Sequence, residues 1–488
     1  MKAYRPRMKT QRSSYPKIRW SQPAPARGAI AAESAAEPLG VVEFPASTLA
    51  RAVRAFGEPV AAGTSAEQAL QFLQAAAEIE QQLMVEYLYA YASLAGAAPA
   101  PWRTKLRAVF REEMGHLLTV ENLLLLLGAA PHLARMSGVA ANEEPFPLRL
   151  EPLQTGSLAK YVAAESPDPA GLPADIAQQA APAYLEAETN GFQHNRVGVL
   201  YAKIYWMFQS SDAPEGPWTI PSGIFTQGGH VPDEALHPES IRFQGVPADW
   251  NVADGPQPLG GRFAMRVPDR ATALAAIHAV AEQGEGLVPA GTVEPSHFQQ
   301  FLEIYTSAKA MITAGQPLPV LLVPVNPTYG PDPLADATLE ENRIAEEVSR
   351  QWAALSDTHY TLLLGLIHLT LLIDDSTAGA SLRGDLAEHA LNVQMKSIIG
   401  PLARLLVQRP RKPGIAASVL AAAPPFSDPV VPATGDQMAL AAFLRTKLAE
   451  SDALIAQLSP AQPLPPPLPT VQAGNTNLRA LLDRLPVA

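Results

Sequence analysis

Between residues 66 and 94 apolar side chains recur at the spacing of one helix face: Leu73, Ala76, Leu83, Met84, Tyr87 and Tyr91. The pattern predicts a helix opened by a Ser65/Gln68 capping box and ended by Gly96. Glu80 falls on the apolar face, and Glu78 points roughly opposite. A carboxylate within such a stripe has to be paired, protonated or bound to metal, because an unpaired charge is too costly to desolvate. A second stripe, Leu106, Val109, Phe110, Leu117, Val120 and Leu124, predicts a helix from near Pro101 to Gly128. Glu113 and His116 lie in this stripe, whereas Glu112 shares a flank with Lys105 and Ala108. The geometry favours Glu113 over Glu112, and Glu121 is harder to place.

Further along, a short helix is expected over about 156–165, stopped by Pro167, and a third long one over about 182–208, broken near Gly191. From 212 to 266 Pro and Gly are dense and no period is sustained, as in a lid or an irregular insertion. Helical pattern resumes over about 269–283, 295–314, 342–373 and 382–407. Proline-rich stretches at 317–333 and 460–469 read as extended connections, the latter before a last short helix. The expected organisation is a basic tail at 1–60, a metal-binding bundle at 61–315, additional helices packed on it at 316–430, and a helix plus proline-rich tail at 431–488.

Composition narrows the chemistry. The 488 residues contain no cysteine, which excludes disulfides, thiolate metal sites and a cysteine nucleophile. Any metal must then be held by His and carboxylates. A net charge of −11 argues against nucleic acid as a main partner. Residues 1–32 carry eight Lys and Arg and no acid, but lack the apolar region of a signal peptide. No run of 18 apolar residues is present, so no membrane span is expected, and the cytoplasm is the expected location.

Glu113 and His116 are three residues apart, so both leave the same helix face and can hold one ion. This is the half-motif of carboxylate-bridged helical bundles, and Glu80 offers the complementary carboxylate. Alone, each residue has a bland explanation: a buried ion pair for Glu113 and His116, an exposed turn for Glu285, an exposed first-turn residue for His297, a helix end for Glu165. His278, near Glu282, reads as a satisfied core histidine. His359 and His368 read as structural, and Tyr201, Tyr205, Trp206 and Phe208 as core packing.

Five stretches together resemble a known family. They are Ala77-Glu78-Ile79-Glu80-Gln81 with Tyr87-Leu88-Tyr89-Ala90; Glu112-Glu113-Met114-Gly115-His116-Leu117 with Asn122-Leu123-Leu124; and Ala164-Glu165-Ser166-Pro167. The fourth is Ala276-Ile277, Gln283-Gly284-Glu285-Gly286 and Ser296-His297-Phe298; the fifth runs from His359-Tyr360-Thr361 through 395–405 to Pro424-Pro425-Phe426. Over roughly residues 60–430 the set resembles the ferritin-like domain of iminophenyl-pyruvate dimer synthases, enzymes of violacein- and rebeccamycin-type bisindole pathways. The resemblance implies a mostly α, ferritin-like bundle with additional C-terminal helices and a long irregular insertion. It also implies a non-haem iron site of one or two ions, with Glu80, Glu113, His116, Glu285 and His297 as ligands and Glu165 as a weaker one.

One position departs from the family. Where relatives commonly read Ile-Gly-Glu, this chain reads Val197-Gly198-Val199, so a carboxylate is missing at Val199. The site would then hold one ion, or recruit Glu188 or His194. The implied function is an iron oxidoreductase acting on a small organic, aromatic amino-acid-derived substrate in secondary metabolism, with self-association left open. The full bisindole enzymes can be much longer, so the exact reaction does not transfer. The alternative is a non-catalytic helical scaffold or partner-binding protein. Iron storage ranks last, for want of an acidic mineralising run.

Overall fold

A computed structural model describes residues 63–135, 145–167, 169, 172–190, 196–210, 229–245, 264–285, 295–330, 341–428, 430–459 and 465–485. The basic segment at 1–60, His194 and much of the 212–266 stretch lie outside the described residues. The described residues are helical, with isolated β-bridges and no strand. None of their helices is long and apolar enough to cross a membrane.

Helix α1 (Ser65–Ala92) opens one residue earlier than the sequence pattern indicates. Thr64 is its N-cap, and Glu67 closes the capping box by accepting the Thr64 N–H at 2.7 Å. Two overlapping boxes compete here. The ionised Glu67 makes the stronger acceptor, while Gln68 turns inward and donates to the Gly63 carbonyl at 3.2 Å. Helix α2 (Ala100–Leu126) starts with Pro101 in its first turn. It ends before Gly128, whose φ of 70° only glycine adopts without strain. A side chain there would also run into the His237 ring, 2.7 Å from where its Cβ would sit.

α1 and α2 form the most extensive helix pair. The third long helix, expected to break near Gly191, comprises α4 (Ala174–Thr189) and α5 (Val197–Phe208) on either side of that position. α4 begins well before Pro182 and carries that proline inside it, at the cost of one backbone hydrogen bond. Its start is set by Pro173 and the first-turn Asp175. α3 (Thr155–Ala164) packs on α4 and on α7 (His297–Thr313), and α5 packs on α1 and on α6 (Arg270–Glu285). One continuous apolar core links these helices, including Leu83, Leu117, Leu124, Val162, Ile204, Ile277 and Phe301.

The C-terminal helices extend that core. α8 (Glu347–Thr370) begins later than its apolar pattern indicates, because Glu346 caps it by accepting the Ser349 N–H at 2.7 Å. The expected 382–407 helix is three segments: α9 (Thr377–Glu388), a π-helical stretch (His389–Ile399) and α10 (Gly400–Leu406). α11 (Gln437–Leu458), capped by Asp436, packs on α8, and α12 (Leu468–Leu482) packs on α11. Between them Trp352, Ile398, Leu402, Ile455 and Val471 form a second apolar cluster. His359 is fully buried here between Gln394 (3.1 Å) and Ser451 (2.9 Å), with both ring nitrogens satisfied.

Candidate metal centre

Five helices bring polar side chains to one place inside the bundle. α1 supplies Glu80 from its middle, and α2 supplies Glu112, Glu113 and His116. Glu165 follows the last turn of α3, Gln283 and Glu285 lie in the last turn of α6, and His297 is the first residue of α7. The Ser296 capping box with Gln299 fixes where α7 starts and so aims His297 inward. Glu80, Glu113, His116, Glu165, Glu285 and His297 are all no more than 2% exposed. His297 is therefore no exposed first-turn residue, and Glu285 no solvated turn.

Glu113 lies between two histidines. Its Oε2 is 2.8 Å from His116 Nδ1, and its Oε1 is 2.9 Å from His297 Nδ1. Glu80 Oε2 stands 3.3 Å from the same His116 nitrogen, and Glu165 Oε2 stands 3.8 Å from His297 Nδ1. Among the described residues, Glu113, His116 and His297 each offer a ligand atom, all within 4.8 Å of one another. The outer atoms are held too. His116 Nε2 donates to Gln283 Oε1 at 3.0 Å, and His297 Nε2 pairs with Glu112 Oε2 at 2.9 Å. The Tyr87 hydroxyl donates to Glu165 Oε1 at 2.6 Å, and the Tyr201 hydroxyl donates to Glu80.

The charges are unequally distributed. Burial, and next the Glu113 charge, push the Glu80 carboxyl up to about 8. Burial also disfavours charge on Glu113, but the two histidines overcome it and hold that carboxyl well below the usual range. For His116 burial works against the charged form, yet Glu113 and Glu80 override it and lift the imidazole to about 10. The same contest, won mainly by Glu113, raises His297. Without metal, protons occupy the positions at which an ion would bind.

Among the described residues, Glu80 Oε2, Glu113 Oε1 and His297 Nδ1 are buried without a well-aligned hydrogen bond, although each lies within 3.3 Å of a facing member of the group. Folded interiors leave few such atoms unsatisfied, and a shared cation would satisfy all three. Ligand atoms around one small divalent ion lie roughly 3 Å apart, since each bond to the ion is about 2.1 Å. The Glu113 spacings of 2.8 and 2.9 Å to the two histidines meet that requirement, and Glu80 stands at 3.3 Å. A carboxylate and imidazole set without thiolate suits iron. The residues fit a bound metal.

The structure brings Glu80, Glu113, His116, Glu165 and His297 together. Glu285 is buried in the last turn of α6, where its Oε1 accepts the Gly198 N–H of α5 at 2.5 Å. Val199, the position of the missing carboxylate, is buried on α5, and Glu188 is half-buried on α4. The sequence reading is corrected at several places. Glu112 is not on a solvated flank but buried against His297, because the start of α7 covers that side of α2. Glu78 is equally buried and pairs with His132 at 3.0 Å, and Glu121 is buried, accepting the His132 backbone N–H at 2.9 Å. His278 is no core residue; it is partly exposed, 3.5 Å from Glu282. Tyr201 packs in the core as expected but also donates to Glu80. A tyrosine one helix away carries no local sequence signal of such a bond, so only the fold reveals it.

Gly198 is required by close approach. A Cβ there would overlap the Glu285 carboxylate. Gly198→Ala should therefore displace Glu285 and cost roughly 1–3 kcal/mol of stability, as overpacked cores do. A denaturant titration measures this, and an unchanged midpoint would contradict the packing.

Comparison with known proteins agrees with this architecture. Residues 73–306 match the family model described as Ferritin-like, and this region is a ferritin-like domain. The matched segment contains every residue of the cluster. Dichlorochromopyrrolate synthase from Lentzea aerocolonigenes is 25% identical over 324 residues, which span 63% of this chain and 28% of that protein. The chain thus aligns with less than a third of that relative's length. No solved structure matches.

Proposed function

We propose that this chain is a non-haem iron oxidoreductase of secondary metabolism, similar to iminophenyl-pyruvate dimer synthases, acting on a small, aromatic amino-acid-derived substrate. The convergence of Glu113, His116 and His297 in a buried space with unsatisfied ligand atoms carries this reading. The likeness to dichlorochromopyrrolate synthase supports the setting and the substrate class. Glu80, Glu113, His116 and His297 would hold the iron, with Glu165 beside them. Bound there, iron would supply redox chemistry with dioxygen or peroxide as oxidant.

The chain's own residues prepare that chemistry. Tyr87 and Tyr201 keep their protons, since burial and then the neighbouring carboxylates push both hydroxyls well up, so each remains a donor. They fix the orientation of Glu165 and Glu80. Tyr87, Tyr161 and Phe301 meet edge-on or tilted at centroid distances of 4.7–5.3 Å and keep water from the Glu165 side. The Glu80 carboxyl, pushed up by burial, can hold a proton at neutral pH and release it when a cation arrives.

The test is metal content by elemental analysis after anaerobic Fe(II) loading and desalting. One or two irons per chain is the expected result. No retained iron would overturn the proposal and leave a metal-free helical scaffold, the reading that Val199 favours.

A further inference from the structure

The two histidines of the cluster face it in the same sense. In each, Nδ1 points at the carboxylates and Nε2 points away, toward an outer acceptor. His116 Nδ1 lies 2.8 Å from Glu113 and 3.3 Å from Glu80, while its Nε2 lies 3.0 Å from Gln283 Oε1. His297 Nδ1 lies 2.9 Å from Glu113 and 3.8 Å from Glu165, while its Nε2 lies 2.9 Å from Glu112 Oε2. An amide oxygen can only accept, and so can a carboxylate, so both Nε2 atoms carry hydrogen. The inner nitrogens are left to bind.

We propose that Glu112 and Gln283 are positioning residues that lock both histidines to ligate through Nδ1, an inference that rests on the metal-site reading above. The two acceptors come from different elements: Glu112 from α2 toward α7, and Gln283 from the last turn of α6 toward α2. Each therefore ties together a pair of the helices that build the site. His297 stands between Glu112 and Glu113, two consecutive residues, and each ring nitrogen takes one carboxylate. Consecutive residues on a helix diverge by about 100°, so they can hold only a ring that inserts between them. His297, at the first position of α7 and fully buried, does so.

Fixing the outer N–H sets the tautomer and the ring plane, and losing such a partner typically costs 10- to 100-fold in metal affinity. The experiment uses Co(II) alone as the probe in the full chain. Titration calorimetry gives the affinity, and proton NMR of the loaded protein follows the solvent-exchangeable, paramagnetically shifted imidazole N–H signals. Wild type should show two such signals in slow exchange, one per histidine. Glu112→Leu should weaken Co(II) binding about 10- to 100-fold and remove only the His297 signal. Gln283→Leu should do the same to the His116 signal.

The acceptor-retaining Glu112→Gln and Gln283→Glu should restore affinity to within about threefold of wild type, which loss of packing alone would not allow. Should Glu112→Leu fail to fold, the Gln283 pair decides from another helix. Leucine variants that bind Co(II) as tightly as wild type, with both signals present, would overturn the positioning role while the metal site stood. A wild-type protein that binds no Co(II) would overturn the metal site itself.

Discussion

Glu113→Ala should eliminate stoichiometric iron retention, and in the metal-free protein it should lower stability by roughly 3–5 kcal/mol at neutral pH, the usual cost of removing one partner from a buried charge network. Among the described residues, Glu113 is the one carboxylate that faces both histidines, with one oxygen toward each. Its removal leaves two buried imidazoles without their principal counter-charge and lowers the proton affinity of both. It also removes the link between the ligands of α2 and α7. Glu113→Gln keeps the volume and loses the charge, which separates the electrostatic loss from the cavity. Elemental analysis after desalting and urea denaturation of the metal-free protein measure the two effects. Stoichiometric iron in the alanine variant would show that Glu113 is not a ligand.

The metal-free and metal-loaded proteins should respond to pH in opposite directions. Glu80 is raised from an ordinary 4.5 to about 8, and His116 from 6.5 to about 10. A raised group stabilises the fold fully below its unfolded value and loses that contribution as pH climbs through its folded value. Metal-free stability should thus decline from about pH 5 toward pH 10, first through Glu80 and then through His116. Glu113 is depressed, so its contribution disappears only on the acid side.

A cation competes with these same protons. Loading at pH 7 should therefore release about two to three protons, and apparent affinity should rise with pH. Melting temperatures across pH, with and without Fe(II), and calorimetry in buffers of different ionisation enthalpy check both. An affinity unchanged between pH 6 and 8 would be incompatible with protons held at the ligand atoms.

The long helices and the Glu113/His116 pair were legible in the chain because both depend on short-range spacing. A 3.6-residue period places Glu80 inward on α1 and Glu113 and His116 inward on α2, whatever else surrounds them. The family resemblance then drew Glu165, Glu285 and His297 into one set from stretches that periodicity alone leaves as a helix end, a turn and a helix start. Capping was less legible. Thr64 and Ser65 both begin acceptable boxes, and the choice depends on where Gln68 packs.

Residue spacing and composition settle the helical content, the inward face of α1 and α2, and the exclusion of thiolate chemistry. Everything else depends on how the helices pack. Periodicity put Glu112 on a flank, yet α7 arrives there and makes it the partner of His297. The absence of a side chain at Gly198 opens a space in which the Glu285 carboxylate meets a backbone N–H. Tyr201 and Gln283 reach Glu80 and His116 from other helices. A residue's own helix fixes the direction in which it points, but its partner is set by which helix packs there, and that follows from burying the whole apolar surface at once.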